Sequence, residues 1–201
     1  MLKRTVASLL FVFCVASLVC AGDPELKSAF NGKDLAGWQE PANNIWWTVS
    51  DGVLHVKSDP KKKGSTLWTK KEFTDFVVEL DFRFGPGTVD SGVFIREGRE
   101  QIQIGISGSL KRDMTCSPYI SGKGYPVEAE GVTDLLKLDD WNTIRIKAVG
   151  KEYTAWLNGK QVMTYESNSA AEKGRIGLQL HGNRDMQIDF RNINIGGVPA
   201  E

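Results

Sequence analysis

An alternation of apolar and polar side chains constrains the fold of this chain more than any other feature of its sequence. From Phe76 to Phe84 every second residue is apolar, and Glu79, Asp81 and Arg83 occupy positions between them. This spacing is typical of a β-strand that buries one side and exposes the other to solvent. The chain is therefore expected to build sheets rather than helices.

Turn signals and further alternating runs extend the strand pattern over most of the chain. Asn158-Gly159 and Asp51-Gly52 each stand between two strand-like runs, and such dipeptides favour two-residue hairpin turns because both residues tolerate a positive φ. Many short strands without a long amphipathic helix predict an all-β fold, an antiparallel sandwich of two sheets. Further strands are predicted at 46–49, 53–56, 66–69, 92–96, 101–106, 143–148, 153–157, 161–165, 176–181 and 187–195.

The segment 111–140 breaks the strand pattern and is rich in glycine and proline. About thirty residues with little regular structure inside a compact domain usually form a functional loop or lid. A long crossover connection across one end of the sandwich is the alternative interpretation. Because the segment follows strand 101–106 directly, we expect it to close over a site on that strand's outer side.

The first 21 residues predict a signal peptide rather than part of the fold. Lys3 and Arg4 precede an apolar run at 9–16 that is too short to span a bilayer, and Ala21 offers a cleavage site. A lipoprotein signal with Cys20 as the lipidated residue is the alternative, which Val19 disfavours. The prediction is an exported protein, periplasmic or extracellular. Residues 22–201 would form a single domain without a transmembrane segment.

Charge and cysteine content exclude several classes of protein. Lys and Arg number 25, as do Asp and Glu, so the chain is formally neutral and lacks the excess of cations that nucleic-acid binding needs. Cys116 is the one cysteine after the predicted signal peptide, which excludes an internal disulfide. No histidine lies near it in sequence, so we interpret it as a partly buried thiol rather than a nucleophile.

Three predicted strands place polar side chains on the solvent side of one sheet. A four-residue loop at 97–100 would join two of them and set Arg96 opposite Gln101. It would also set Phe94 opposite Gln103, and cross-strand partners share a face. The side chains predicted to form this patch are Phe94, Arg96, Gln101, Gln103, Gln179 and His181.

Amides and a guanidinium around an aromatic ring suit a carbohydrate, because the polar groups bond hydroxyls and the ring packs on the C–H face of a sugar. Tyr119 and Tyr125 of the segment 111–140 are expected to add exposed aromatic groups. A solvated outer sheet face is the plainer interpretation of the same residues. The histidines, His55 and His181, show no metal-binding spacing, and His55 is interpreted as a surface residue.

Motifs along the whole predicted mature chain resemble the 3-keto-disaccharide hydrolase family. They include Phe-Asn-Gly-Lys-Asp-Leu-Ala-Gly-Trp at 30–38 and Ser-Gly-Val-Phe-Ile-Arg at 91–96. Further matches lie at 47–54, 67–69, 75–83, 156–159, 174–179 and 190–193. The resemblance implies a concanavalin A-like jelly roll, related to laminarinase and lectin domains, and an exported protein acting on carbohydrate.

One position departs from the family pattern. The family commonly reads Glu-Val-Gln-Ile after the Ser-Gly-Val-Phe-Ile-Arg motif, whereas this chain has Gln-Ile-Gln-Ile at 101–104. Gln101 thus offers a neutral amide where relatives offer a carboxylate. Asp113 and Glu128 are the first candidates to supply a replacement acid.

The resemblance implies cleavage of 3-keto-glycosides by elimination and hydration, or by hydrolysis. His181 is the predicted base, Arg96 the oxyanion stabiliser, and Asp113 or Glu128 the acid. No cofactor is assigned, and a divalent metal on the keto oxygen stays open without named ligands. A non-catalytic carbohydrate-binding module is the alternative function. The predicted substrate-binding residues are Phe94, Gln101, Gln103, Gln179, Tyr119 and Tyr125.

Overall fold

Thirteen β-strands and one short helix make up the regular structure of the computed structural model, which describes residues 22–200. The predicted signal peptide, with Cys20, lies outside the described residues. The elements are β1 (Lys27–Ser28), β2 (Trp38–Gln39), β3 (Trp47–Ser50), β4 (Val53–Lys57), β5 (Ser65–Gly87), β6 (Asp90–Phe94), β7 (Glu100–Gly105), β8 (Pro118–Ile120), α1 (Val132–Leu135), β9 (Asn142–Val149), β10 (Glu152–Leu157), β11 (Lys160–Glu166), β12 (Gly174–Leu180) and β13 (Met186–Pro199).

The long strand β5 belongs to both sheets of the sandwich. Its first part, 65–73, pairs with β12 and begins the order β5-β12-β6-β7-β8, which we call the front sheet; β2 also pairs with this part. Its second part, 76–87, pairs with β9 and β13 in the back sheet, ordered β11-β10-β9-β5-β13-β4-β3. All pairings are antiparallel, and the predicted all-β sandwich is confirmed.

The core lies between the two sheets and follows the predicted alternation. Leu80 and Phe82 of β5 are buried, whereas Glu79, Asp81 and Arg83 are only partly covered. One cluster of buried residues joins the inner sides of both sheets, with Ile102 and Leu178 from the front sheet and Ile146 and Ile188 from the back sheet. Burial of these faces supplies the main driving force for folding.

Both predicted hairpin turns are present. Asn158 and Gly159 have φ values of 50° and 84°, and Asp51 and Gly52 have φ values of 52° and 77°. Two consecutive left-handed residues are the signature of the type I′ turn that matches the twist of the flanking strands. The turns pair Leu157 with Lys160 and Ser50 with Val53.

The segment 111–140 combines the two interpretations of its sequence. Its early part forms β8, which extends the front sheet beside β7. Its later part crosses towards β11, where the Glu130 N–H donates to the Val162 carbonyl, and Val127, Val132 and Leu135 pack on the core.

Within 22–200, no helix is long and apolar enough to cross a bilayer.

Candidate functional site

A pocket of about 720 Å³ lies on the solvent side of the front sheet. It contains His181 and all six residues predicted to bind substrate. Polar and aromatic groups that the sequence interpretation did not assign to the site complete the lining: Trp68, Asp90, Arg99, Ser107, Ser109, Ser121 and Arg184, with Gly98 and Gly108.

The aromatic part of the pocket comes from one row of residues across neighbouring strands. Gly177 of β12 pairs with Trp68 on one side and with Phe94 on the other, and Phe94 pairs in turn with Gln101. A Cβ atom at Gly177 would lie 2.5 Å from Cε3 of Trp68, so the glycine leaves room for the indole to lie over β12. The Trp68 and Phe94 rings then approach to 5.3 Å between centroids, and we call them the aromatic pair.

The register of the β6–β7 hairpin differs from the prediction by two residues. Phe94 pairs with Gln101, and Gly92 pairs with Gln103, because β6 ends at Phe94. A shift of two residues conserves the face of each side chain. Phe94, Gln101 and Gln103 therefore still share the pocket face.

The structure contradicts the predicted position of Arg96 in this patch. Arg96 lies in the turn after β6 with a φ of 52°, and only 2% of its surface is exposed. Its guanidinium donates to the carbonyls of Thr74, Ala148, Gly150 and Ala171 at 2.5–3.2 Å and pairs with Asp75 at 3.3 Å. Arg96 thus ties β5, the β9–β10 turn and the loop before β12 together, and it does not line the pocket.

The two predicted acids also lie elsewhere. Asp113 accepts hydrogen bonds from the N–H and the hydroxyl of Thr115, which holds a turn. Glu128 forms a bidentate ion pair with Arg112, and the Arg112 guanidinium lowers the pKa of the Glu128 carboxyl. Neither carboxylate lines the pocket. Their assignment as the general acid is therefore corrected: each is engaged in a local contact.

His181 keeps one ring nitrogen available in the pocket. Its Nδ1 lies 2.6 Å from the Gly182 carbonyl oxygen, so Nδ1 must carry the proton of this hydrogen bond. In the neutral ring Nε2 is then an acceptor, and it has no protein partner in the described part of the chain. A positioned neutral imidazole with a free lone pair can act as a general base.

A chain of buried polar side chains lies beside the aromatic pair. Gln101 Nε2 donates to Gln103 Oε1 at 2.9 Å, and Gln103 Nε2 donates to Asp90 Oδ1 at 2.9 Å. The Arg184 Nε atom donates to the other Asp90 oxygen at 3.1 Å. Oε1 of Gln101 and Oε1 of Gln179 are buried without a hydrogen-bond partner.

Two tyrosines from the segment 111–140 border the pocket, as predicted. Tyr119 lies opposite Gln101 on β8, and its ring meets Tyr125 edge-on at 5.2 Å. Burial raises the pKa of the Tyr125 phenol, with Asp90 and Tyr119 adding to the effect. Tyr125 is therefore a proton donor rather than a phenolate at neutral pH.

Outside the pocket, Ser50, His55 and Asp189 form a hydrogen-bonded series on the back sheet. His55 Nε2 lies 3.0 Å from the Ser50 hydroxyl, and Nδ1 lies 2.8 Å from Asp189, which also pairs with Arg83. None of these residues lines the front-sheet pocket.

Among residues 22–200, no group of three or more His, Cys, Asp and Glu side chains could hold a metal ion.

Solved structures of similar fold include carbohydrate-binding proteins. A candidate glycosyl hydrolase from Parabacteroides distasonis is 25% identical, with a TM-score of 0.61 and coverage of 87% of this chain and 100% of that chain. The carbohydrate-binding module CBM66 from Bacillus subtilis is 15% identical, with a TM-score of 0.52 and coverage of 80% and 96%. The exoplasmic/lumenal domain of VIP36, solved with Ca²⁺ and Man₃GlcNAc, is 10% identical, with a TM-score of 0.61 and coverage of 88% and 92%.

These likenesses agree with a galectin-like or concanavalin A-like jelly roll. No curated protein sequence matches the chain. The family described as the 3-keto-alpha-glucoside-1,2-lyase-like domain matches residues 25–196, which is most of the chain. The protein therefore belongs to the 3-keto-alpha-glucoside-1,2-lyase-like family.

Proposed function

We propose that the front-sheet pocket binds a 3-keto-glycoside and that His181 begins its cleavage. The observation that carries this proposal is the free Nε2 of His181 in a pocket that also holds the aromatic pair. The ring faces suit the C–H face of a sugar, and the glutamines suit its hydroxyls. Family membership and the carbohydrate-binding neighbours support the substrate class.

The proposed reaction is an elimination followed by hydration. A ketone at C3 acidifies the proton on C2, and His181 Nε2 accepts that proton. The electrons of the C2–H bond form a C1–C2 double bond as the C1–O bond breaks, and the Tyr125 hydroxyl protonates the departing oxygen. Water then adds hydroxide at C1, while His181 returns a proton to C2 and Tyr125 recovers one from the water. One water is consumed in total.

A cation must stabilise the negative charge that develops on the C3 oxygen. Arg99 and Arg184 line the pocket, and we assign the stabilisation of this oxyanion to them instead of to Arg96. Of these, Arg184 is held by Asp90, whereas Arg99 lies at the exposed rim.

Hydrolysis by two carboxylates fits the pocket less well. That mechanism needs an acid and a second carboxylate facing the same glycosidic bond. Asp90 is the one carboxylate among the lining residues, and it is engaged by Gln103 and Arg184. The same observation favours the second candidate function, a carbohydrate-binding module without catalysis.

Export through a signal peptide at 1–21, followed by one domain at 22–201, remains part of the proposal.

Incubation of the purified protein with 3-keto-sucrose or 3-keto-lactose tests the proposal. Turnover by the native protein should fall by about 10²–10⁴-fold in His181→Ala, the range for loss of a general base. His55→Ala on the back sheet is the matched control and should keep full activity. Saturable binding without turnover would favour the binding module, and absence of binding would contradict a carbohydrate site.

A further inference from the structure

The buried chain Asp90–Gln103–Gln101 has a direction that its chemistry imposes. Asp90 is 3% exposed, and its carboxylate, paired with Arg184, can accept hydrogen bonds but has no proton to donate. Gln103 must therefore turn its Nε2 towards Asp90, and its Oε1 necessarily faces the other way.

The orientation of Gln103 determines that of Gln101. Gln101 is 4% exposed, and its Nε2 donates to Gln103 Oε1. A reversed Gln101 amide would bring two carbonyl oxygens together, which is repulsive. The oxygen of Gln101 is consequently left at the end of the series, buried and without a protein partner among residues 22–200.

The charge at the start of the series has its own structural support. Arg184 lies across Gly108, where a Cβ atom would overlap Nη2 of Arg184 and approach Asp90 Oδ2 to 3.0 Å. The glycine thus makes room for the ion pair against the pocket wall. Each hydrogen bond in such a series polarises the next, so the terminal oxygen is a stronger acceptor than that of an isolated amide.

We propose that Asp90, acting through Gln103, is a positioning residue that presents the Gln101 carbonyl oxygen to a hydroxyl of the ligand. A buried acceptor without a partner costs free energy until a donor reaches it. Gln179 Oε1 is a second unpartnered acceptor in the same pocket. The groups of the ligand that meet these two acceptors are therefore sugar hydroxyls, which can donate a hydrogen bond, rather than a carboxylate, which cannot. This ligand half of the inference rests on the proposed function.

Neutron diffraction from a deuterated crystal of the ligand-free protein tests the direction of the series. We expect deuterium on Gln103 Nε2, which faces Asp90, and on Gln101 Nε2, which faces Gln103. The side-chain atom of Gln101 that faces away from Gln103 should carry no deuterium, because it is the oxygen Oε1. A reversed or mixed orientation of either amide would overturn the inference. This result is independent of any ligand and hence of the proposed function.

Titration with methyl β-D-glucoside and methyl β-D-glucuronide, followed by NMR, tests the selectivity. The native protein should favour the neutral sugar by about tenfold or more, the effect of one hydrogen bond to a polarised group. Asp90→Asn should lower affinity for the glucoside about tenfold, because an amide at position 90 both donates and accepts and so no longer orients Gln103. Asp189→Asn, which alters a similar Asp–Arg pair on the back sheet, should leave both affinities unchanged.

If Asp90→Asn fails to fold, Gln101→Met removes the terminal acceptor and should produce the same loss. Equal binding of the two sugars by the native protein, or unchanged affinity in Gln101→Met, would overturn the selectivity. If neither sugar binds, the ligand half fails together with the carbohydrate assignment, while the neutron result still decides the direction of the series.

Discussion

Replacement of Arg96 by methionine separates a structural role from a catalytic one. Arg96 is almost fully buried, and four backbone carbonyls would each lose one hydrogen bond if the guanidinium were removed. Methionine keeps most of the side-chain volume and its contact with Phe76, so the main loss is polar.

The expected loss of stability follows from these contacts. A hydrogen bond from a charged group contributes about 1.5–3 kcal/mol, and such contributions do not add fully. Asp75 is half exposed and can regain water, which limits the penalty on that side. Removal of one partner from a buried charged network typically costs about 3–5 kcal/mol, and we expect this range for Arg96→Met. At about 2–4 °C per kcal/mol, Tm should fall by about 6–20 °C.

Thermal unfolding and sugar titration of two variants provide the assay. Arg96→Met should lose stability while the folded fraction keeps its affinity for sugar. Arg99→Met alters an exposed cation at the rim of the pocket and should show the reverse, with a change of stability within about 0.5 kcal/mol and weaker binding. A loss of less than about 1 kcal/mol in Arg96→Met, or selective loss of binding in that variant, would refute the structural assignment.

Three further predictions concern other parts of the molecule. Gly177→Val should displace the Trp68 ring and cost about 1–3 kcal/mol in urea unfolding; unchanged stability would show that the ring moves freely. Burial raises the pKa of the Cys116 thiol, so at pH 8 a thiol reagent should label it only on unfolding; rapid labelling of the native protein would contradict its position. Hydrogen bonds from Lys147 and Arg145 lower the pKa of Asp23. The ionised Asp23 should therefore stabilise the fold above the ordinary aspartate pKa of about 3.9, and this stabilisation should be lost as the pH falls through the lowered value. Acid unfolding of Asp23→Asn should lack this contribution, and identical acid curves would contradict it.

The strands and most of the pocket could be predicted, because the face that a strand residue occupies depends only on whether its position along the strand is odd or even. Phe94, Gln101 and Gln103 share a face even though the hairpin register differs by two residues, since a shift of two conserves the face. Alternation ceases to apply where a strand ends. Arg96 follows β6 in a turn with positive φ, and its side chain enters the interior instead of the pocket.

The acids could not be assigned from sequence because irregular segments take their positions from contacts distant in the chain. Glu128 pairs with Arg112, and no periodic pattern signals that contact. Asp90 could be predicted from the sequence, because the alternation that places Phe94 on the pocket face extends backwards through Gly92 to Asp90. Arg184 lies in a turn after β12, where only the fold brings it to Asp90.

Binding of carbohydrate at the front sheet is the central claim, and an NMR titration tests it most directly. His181→Ala, in which turnover should be slowed by about 10²–10⁴-fold, would be titrated with 3-keto-sucrose while its ¹H–¹⁵N spectrum is recorded. We predict that the side-chain amide signals of Gln101 and Gln179 and the Trp68 indole signal shift together. Shifts confined to the back-sheet groove around Arg145 and Trp156, or no saturable shift at all, would contradict the claim.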